Sequence, residues 1–399
     1  MIVSIDWLKD FVDIKETPEE LSEILSSVGL EAEYTDSFSE ISNVIIGKVL
    51  SVEKHPNADR LNVCSVNDGE KNYQVVCGAP NVQAGQIIAY AKVGSVLPGG
   101  FKLEKIKLRG VESSGMICSA KELNISDEHD GILVLPEICN IGGEFFKEYG
   151  YKYLNIELDI TPNRPDAFSH YGVARDISVI LGRKLVSHSF TSKIKEFKPS
   201  FSLRIDDQND CSRYVGGLLS NVSIKPSPQW MQERLIAVGQ RPINNLVDIS
   251  NYVLMEMGQP THIFDWDKVK SNEILVRRAK KKETIKTLDQ NSLELDETHL
   301  VISDGINPIA IAGVMGGLES AVDEKTTTVF IESAYFDPIT VRKSSKSLRL
   351  STEASKRFER GADPEATTNA FWRIVALIEE YADGEFQGEY LDLISNEFT

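Results

Sequence analysis

The sequence predicts a multidomain α+β protein, and three observations carry that expectation. At 399 residues the chain has room for two to four domains, each with a core of its own. Its pattern changes twice: helical periodicity gives way near Glu40 to closely spaced short strands, and after residue 150 helices return among longer strands. Hydrophobic residues at 41% and charged residues at 26% are ordinary for a globular protein.

The stretch from Met1 to Phe38 reads as two helices. Thr17-Pro18-Glu19-Glu20 supplies an N-cap, a proline at the first helical position and a glutamate placed for a capping box. Leu21, Ile24, Leu25 and Val28 then form one apolar stripe, closed by Gly29. From residue 39 to 150, runs such as Val44–Val52, Leu61–Val66 and Tyr73–Cys77 follow in quick succession, with a hairpin signal at Asp68-Gly69. Many short strands at this spacing suggest a small closed barrel. Tyr153–Ile160 alternates as a half-buried strand, and a helix through Val173 and Ile177 ends at Gly182. The barrel is therefore expected as an insertion into a small discontinuous domain of residues 1–38 and 151–190. Residues 191–201, basic and poor in apolar groups, are expected to be a linker. Residues 202–390 form a mixed α/β region that closes with a helix over Ala366–Tyr381, and 391–399 begin another linker.

Composition narrows the function classes. Cys64, Cys77, Cys118, Cys139 and Cys211 are odd in number and lack a CxxC pair, which argues against a disulfide framework or a zinc site. No apolar run approaches the roughly 18 residues of a membrane span, and the acidic start MIVSIDWLKDFVD is unlike a signal peptide. A cytoplasmic protein without a membrane partner is expected. The formal charge of −17 argues against a protein that coats nucleic acid, although Lys102, Lys105, Lys107 and Arg109 gather positive charge locally. No metal-ligand spacing and no phosphate-cradling GxxxxGK[ST] motif is present.

Residues 311–364 hold the features that ask for more than packing. Gly313, Gly316 and Gly317 strip side chains from a turn, and Thr328–Ile331 reads as a buried strand that delivers Glu332 at its end. Upstream, His262 stands between a proline turn and Phe264. A carboxylate after a strand is as readily a cap or a solvated loop residue, and a lone histidine as readily a satisfied core residue. Residues alone leave both alternatives open.

The segments GQPTHIFD (258–265), AGVMGG (312–317), VFIESAYF (329–336) and LSTEASKRFERGADP (350–364) resemble successive motifs of the editing module in the β subunits of bacterial phenylalanyl-tRNA synthetases. HPNADRL, VVCGAPN and RGVESSGMICS, within 55–119, resemble the tRNA-binding OB-fold module. The resemblance covers essentially the whole chain. It implies a winged-helix-like small domain, an inserted OB-fold barrel that touches tRNA through Lys102, Lys105, Lys107 and Arg109, and an α/β module that hydrolyses Tyr-tRNA(Phe). In that module it implies Glu332 as reader of the tyrosine hydroxyl, His262 at the ester, Asn251 on the amino-acid moiety, and Gly316, Thr352 and Ala354 as small wall residues. Arg357 to Arg360 are expected to form a structural ion-pair cluster. The family often has Met at Thr261 and Ala at Ile263, a difference of pocket shape.

Its β subunits continue into further domains and assemble with α subunits as α2β2. ATP and magnesium are thus expected in the whole enzyme, with no cofactor held by these residues and no aminoacylation without the α subunit. The competing expectations are a free-standing tRNA- or RNA-binding protein and a scaffold that does not hydrolyse.

Overall fold

The computed structural model describes residues 1–35, 38, 40–125, 131–136, 139–187, 190 and 198–394. It is a mixed α/β protein with several sheets. The chain opens with β1 (Ile2–Ser4), α1 (Ile5–Leu8), α2 (Pro18–Ser27) and β2 (Glu31–Glu33). Thr17 and Glu20 close the expected capping box on α2. The two strands flanking the helices were not foreseen, because three residues are too few for an alternating pattern to register.

The strand-rich region holds β3 (Ser42–Lys54), β4 (Asn62–Asn67), β5 (Asn72–Cys77), β6 (Ile87–Leu97), β7 (Phe101–Lys102), β8 (Ile106–Leu108), β9 (Val111–Ser113), β10 (Met116–Ile117) and β11 (Val134–Leu135). The main sheet runs β10-β6-β3-β4-β5, with β7 and β11 also on β6. The expected closed barrel is corrected here: among the described residues the ladder does not return from β5 to β10. The chain turns away at Gly115, with φ +132°, so only isolated bonds span the gap. Ser114 N donates to Gln74 O at 2.8 Å, and Val76 N donates to the Ser113 hydroxyl at 3.0 Å. Side chain and turn backbone thus take the place of a ladder.

After α3 (Phe145–Glu148), β12 (Asn155–Asp159) lies between β1 and β2 in a three-stranded antiparallel sheet, and α4 (His170–Ile180) follows. Of the expected linker, 191–197 lie outside the described residues.

The last region comprises β13 (Ser202–Ile205), β14 (Cys211–Ser220), α5 (Gln229–Ala237), α6 (Asn245–Met257), β15 (Thr261–Asp265), β16 (Glu273–Arg278), β17 (Glu283–Lys286), β18 (Ser292–Leu295), β19 (Leu300–Ser303), β20 (Pro308–Ile311), β21 (Met315–Gly316), β22 (Val329–Phe336), α7 (Pro338–Leu348), α8 (Glu353–Phe358), α9 (Ala366–Tyr381) and β23 (Glu385–Ile394). Two sheets result, β13-β16-β19-β20-β21 and β15-β22-β14-β23. Residues 391–394, expected in a linker, continue β23 along β14, with Leu393 opposite Tyr214. They pair an edge of β14 that would otherwise expose unpaired N–H and C=O groups. Residues 395–399 of that expected linker lie outside the described residues.

Alternation splits the second sheet between two cores. Val215, Leu219, Ile263, Val329 and Ile331 pack with α6 and α9, in a cluster that also takes in Trp7, Phe11, Ile156 and Val173 from the N-terminal elements. Trp7 lies between His170 (4.1 Å between ring centroids) and Tyr252 (4.5 Å), tying those elements to α6. Tyr214, Phe264, Phe330, Ala334 and Phe336 face the other way, onto Val276, Val301, Ile302 and Ile311 of the first sheet. Among the described residues no helix is long and apolar enough to cross a membrane.

Candidate active site

The space between the two sheets is not filled. A cavity of about 320 Å³ opens there, lined by residues of α6, β15, β19 to β22 and α8. Glu332 lies on its wall in the middle of β22, not at the strand end that the sequence suggested, because the strand continues through Phe336. It alternates with Phe330, Ala334 and Phe336, so it points into an otherwise apolar inter-sheet layer. Its neighbours are His262 of β15 on one side and Gly216 of β14 on the other. Burial pushes the carboxyl up from its ordinary 4.5 to about 8, and the hydrogen bond from Tyr214 only partly opposes this. That bond runs from the Tyr214 hydroxyl to Oε2 at 2.8 Å.

His262 is set by the strand and the loop before it. α6 ends at Gly258 in the left-handed conformation, with φ +79°. Gln259 then donates from Nε2 to Ala334 O at 2.8 Å, docking the loop on β22. The imidazole packs edge-on against Phe264, with 4.4 Å between ring centroids, and its buried Nε2 finds no partner among the described residues. Burial lowers its pKa from 6.5 to about 4, so it is a neutral imidazole at pH 7. Gly316 makes room for it: a Cβ there would stand 2.7 Å from His262 Nε2. Gly316 thus permits the histidine's position rather than merely keeping a wall open.

Asn251, Thr352 and Ala354 line the same cavity, so all six residues expected at the amino-acid site are brought together. Their roles differ. Asn251, on the cavity side of α6, has no hydrogen-bond partner for its amide among the described residues. The Thr352 hydroxyl is committed, accepting from Ser355 N as the α8 N-cap and donating to Val314 O at 2.8 Å. It shapes the wall and has no hydrogen left to give. Ala354 follows in the first turn of α8. Buried Arg357 pairs with Glu353 at 2.9 Å and donates to Phe168 O, and Arg360 lies over the Phe168 ring, so the cluster expected over Arg357 to Arg360 reduces to one ion pair and a ring contact.

Sequence reasoning missed Tyr214, Gln240 and Leu288. Gln240 and Leu288 line the cavity, and Leu288 is half exposed at the tip between β17 and β18. No local pattern marks them, since each reaches the site only through tertiary register. Among the described residues no group of three or more His, Cys, Asp or Glu is placed to hold a metal ion.

The basic residues lie elsewhere. Lys102 is exposed on β7 beside Phe101, itself 60% exposed. Lys105 is paired with Glu112 at 2.6 Å, and Lys107 stands opposite the same glutamate across the β8–β9 hairpin. Arg109 takes the hairpin turn with φ +49°, and its carbonyl accepts from the Asn57 amide. The HPNADRL loop is thereby tied to the basic hairpin, where His55 Nε2 also meets Leu108 O at 3.0 Å.

Residues 44–144 match the family model described as a putative tRNA binding domain, and residues 210–383 match that of the B3/4 domain. Over 97% of its length the chain is 47% identical to the phenylalanine–tRNA ligase β subunit of Geobacillus kaustophilus, covering 50% of that relative. It is 44% identical to the β subunit of Syntrophotalea carbinolica, over 96% of this chain and 48% of that one. Along almost its whole length the chain is similar to phenylalanine–tRNA ligase β subunits. It spans about half the length of the relatives it matches. Among solved structures, an N-terminal fragment of the phenylalanyl-tRNA synthetase β subunit from Pyrococcus horikoshii matches 50% of this chain and 61% of its own length. At 17% identity and a TM-score of 0.28, that likeness is too weak to bear on the fold.

Proposed function

We propose that this chain is the tRNA-binding and proofreading portion of a phenylalanine–tRNA ligase β subunit, and that its cavity hydrolyses Tyr-tRNA(Phe). The observation that carries the reading is a polar pair, Glu332 and His262, on adjacent strands of a cavity whose other wall is Ile302, Ala310 and Ile311. Tyrosine exceeds phenylalanine by one hydroxyl. A site built to hydrogen-bond that hydroxyl discriminates far better than an apolar pocket can reject it. Glu332 binds the phenolic group, Asn251 the amino-acid moiety, and His262 Nε2 the ester or the attacking water. Water adds to the ester carbonyl, the bond to the ribose oxygen breaks, and that oxygen takes the proton, releasing tyrosine and intact tRNA. With its pKa near 4, His262 orients rather than acting alone as a base.

The strand-rich region within residues 39–150 is the tRNA contact, an OB-type module. Lys102, Lys107 and Arg109 meet phosphates, and exposed Phe101 offers a stacking surface beside them. Lys105 contributes less because Glu112 already neutralises it. Residues 1–38 and 151–190 act as a winged-helix-like support, followed by the linker 191–201 and the editing module from 202 onward. The partner is the α subunit, in an α2β2 enzyme that handles ATP and magnesium outside these residues, in the cytoplasm.

Deacylation of Tyr-tRNA and Phe-tRNA by the assembled enzyme tests the reading. Glu332→Ala should narrow the Tyr/Phe rate ratio about tenfold, whereas His262→Ala should slow hydrolysis without favouring phenylalanine. An undiminished ratio in folded Glu332→Ala would refute the assignment.

A further inference from the structure

Resting on the proposed site, we infer that Tyr214 is a positioning residue for hydroxyl recognition: by holding Oε2 of Glu332 it dedicates Oε1 to the substrate. Tyr214 is fully buried, and its hydroxyl reaches Glu332 Oε2 at 2.8 Å. The geometry is specific to the sheet. Glu332 stands directly opposite Gly216, and Tyr214 lies two residues back on the same face of β14. Gly216 has no side chain to block the diagonal, and a Cβ there would run into the Phe330 ring. Position 216 thus carries no side chain where Tyr214 reaches across to Glu332.

A phenol has one hydrogen to donate, and burial holds the Tyr214 hydroxyl in its protonated form. It always donates to Oε2. In the neutral carboxyl, Oε2 then serves as the carbonyl oxygen and the acid proton sits on Oε1, which donates to the phenolic oxygen of the substrate. In the ionised carboxylate, Oε1 instead accepts the phenolic hydrogen. Either way one oxygen faces the ligand in a fixed rotamer. Phenylalanine offers that oxygen nothing, so it stays unsatisfied in an apolar layer.

The same logic governs an amide at 332. Its oxygen must accept from Tyr214, which turns the NH₂ group toward the cavity, where it can still donate to the phenolic oxygen. Removing Tyr214 frees the group to rotate and removes the donor that favours ionisation.

The test follows Tyr-tRNA and Phe-tRNA deacylation by the assembled synthetase between about pH 6 and 9. Tyr214→Phe should lower the Tyr/Phe ratio roughly two- to tenfold, slowing Tyr-tRNA hydrolysis more than Phe-tRNA hydrolysis, and move the basic limb of the ratio to higher pH. Glu332→Gln should keep most of the ratio and lose its pH dependence, which keeps the inference testable if Tyr214→Phe does not fold. In a Glu332→Ala background, Tyr214→Phe should change the ratio no further. Equal slowing of both substrates by Tyr214→Phe with an unmoved limb would reduce Tyr214 to a packing residue. Loss of selectivity in Glu332→Gln as complete as in Glu332→Ala would equally overturn the inference. A wild-type ratio in Glu332→Ala would instead remove the ring-reading role of Glu332, and the inference with it.

Discussion

Replacing Glu332 by glutamine tests the electrostatics of the cavity without any tRNA. The wild-type carboxyl is 6% exposed in an apolar layer, and its folded-state pKa is raised from 4.5 to about 8. A raised pKa means that the group's contribution to stability is fully present below pH 4.5 and is lost as pH rises through about 8. At about 1.4 kcal/mol per pH unit, the ceiling across that window is about 5 kcal/mol. Cavity water and relaxation will reduce it to a few kcal/mol. Glutamine keeps the shape and the acceptor for Tyr214 but cannot ionise. Wild type and Glu332→Gln should therefore melt together near pH 5 and diverge toward pH 8, the variant ending several degrees higher, at roughly 2 to 4 °C per kcal/mol for a module of this size. His262 imposes the opposite trend, since its lowered pKa costs stability as pH falls from 6.5 toward 4, but it is common to both proteins and cancels in the difference. Thermal melts at matched ionic strength measure the divergence. A melting difference that stays constant from pH 5 to pH 8 would mean that Glu332 is solvated, and hydroxyl reading at this site would lose its physical basis.

Three further outcomes are expected. Gly316→Ala places a methyl group against the His262 ring, so Tyr-tRNA deacylation should fall at least about tenfold in a protein that still folds; normal editing would mean the ring can move aside at no cost. Ala354→Trp should abolish deacylation while leaving Phe-tRNA synthesis intact, because the indole occupies the cavity; a folded variant that still edits would relocate the ring pocket. Replacing Lys102, Lys107 and Arg109 with glutamine should weaken tRNA binding and flatten its salt dependence by roughly 0.7 to 0.9 for each phosphate no longer neutralised, whereas Lys105→Gln should do less because Glu112 shares its charge; an unchanged slope would reduce the patch to a solvated face.

What the sequence disclosed depended on how far the signal had to travel. The capping box of α2, the hairpin at Asp68-Gly69 and the closing helix over Ala366–Tyr381 are local, and the structure contains each of them. Strands β1 and β2 escaped because their partner, β12, lies more than a hundred residues downstream and supplies the only reason for them to extend. Between β5 and β10 the ladder gives way to the turn at Gly115 and the Ser113 hydroxyl, a distinction no strand count can make. Glu332 and His262 were found through long motifs, not through periodicity. Tyr214 was not found at all, because nothing in CSRYVGGLLS marks it until register sets Gly216 opposite Glu332.

That register also explains why the fold tolerates a titratable carboxyl between two sheets. β22 is paired on both sides, to β15 and β14, so its backbone cannot shift to bring Glu332 to solvent without breaking two ladders. The core of α6 and α9 on one face and the aromatic layer of Phe264, Phe330 and Phe336 on the other hold the strand in place. The side chain keeps its position and bears the desolvation as a raised pKa, a few kcal/mol that the two cores supply. A ligand with a hydroxyl relieves part of that cost on entering, and a ligand without one does not. If the site reads a hydroxyl as proposed, its selectivity is stored as the unfavourable burial of Glu332, and any substitution that lets the carboxyl reach water should lower discrimination even if every bond to the ligand survives.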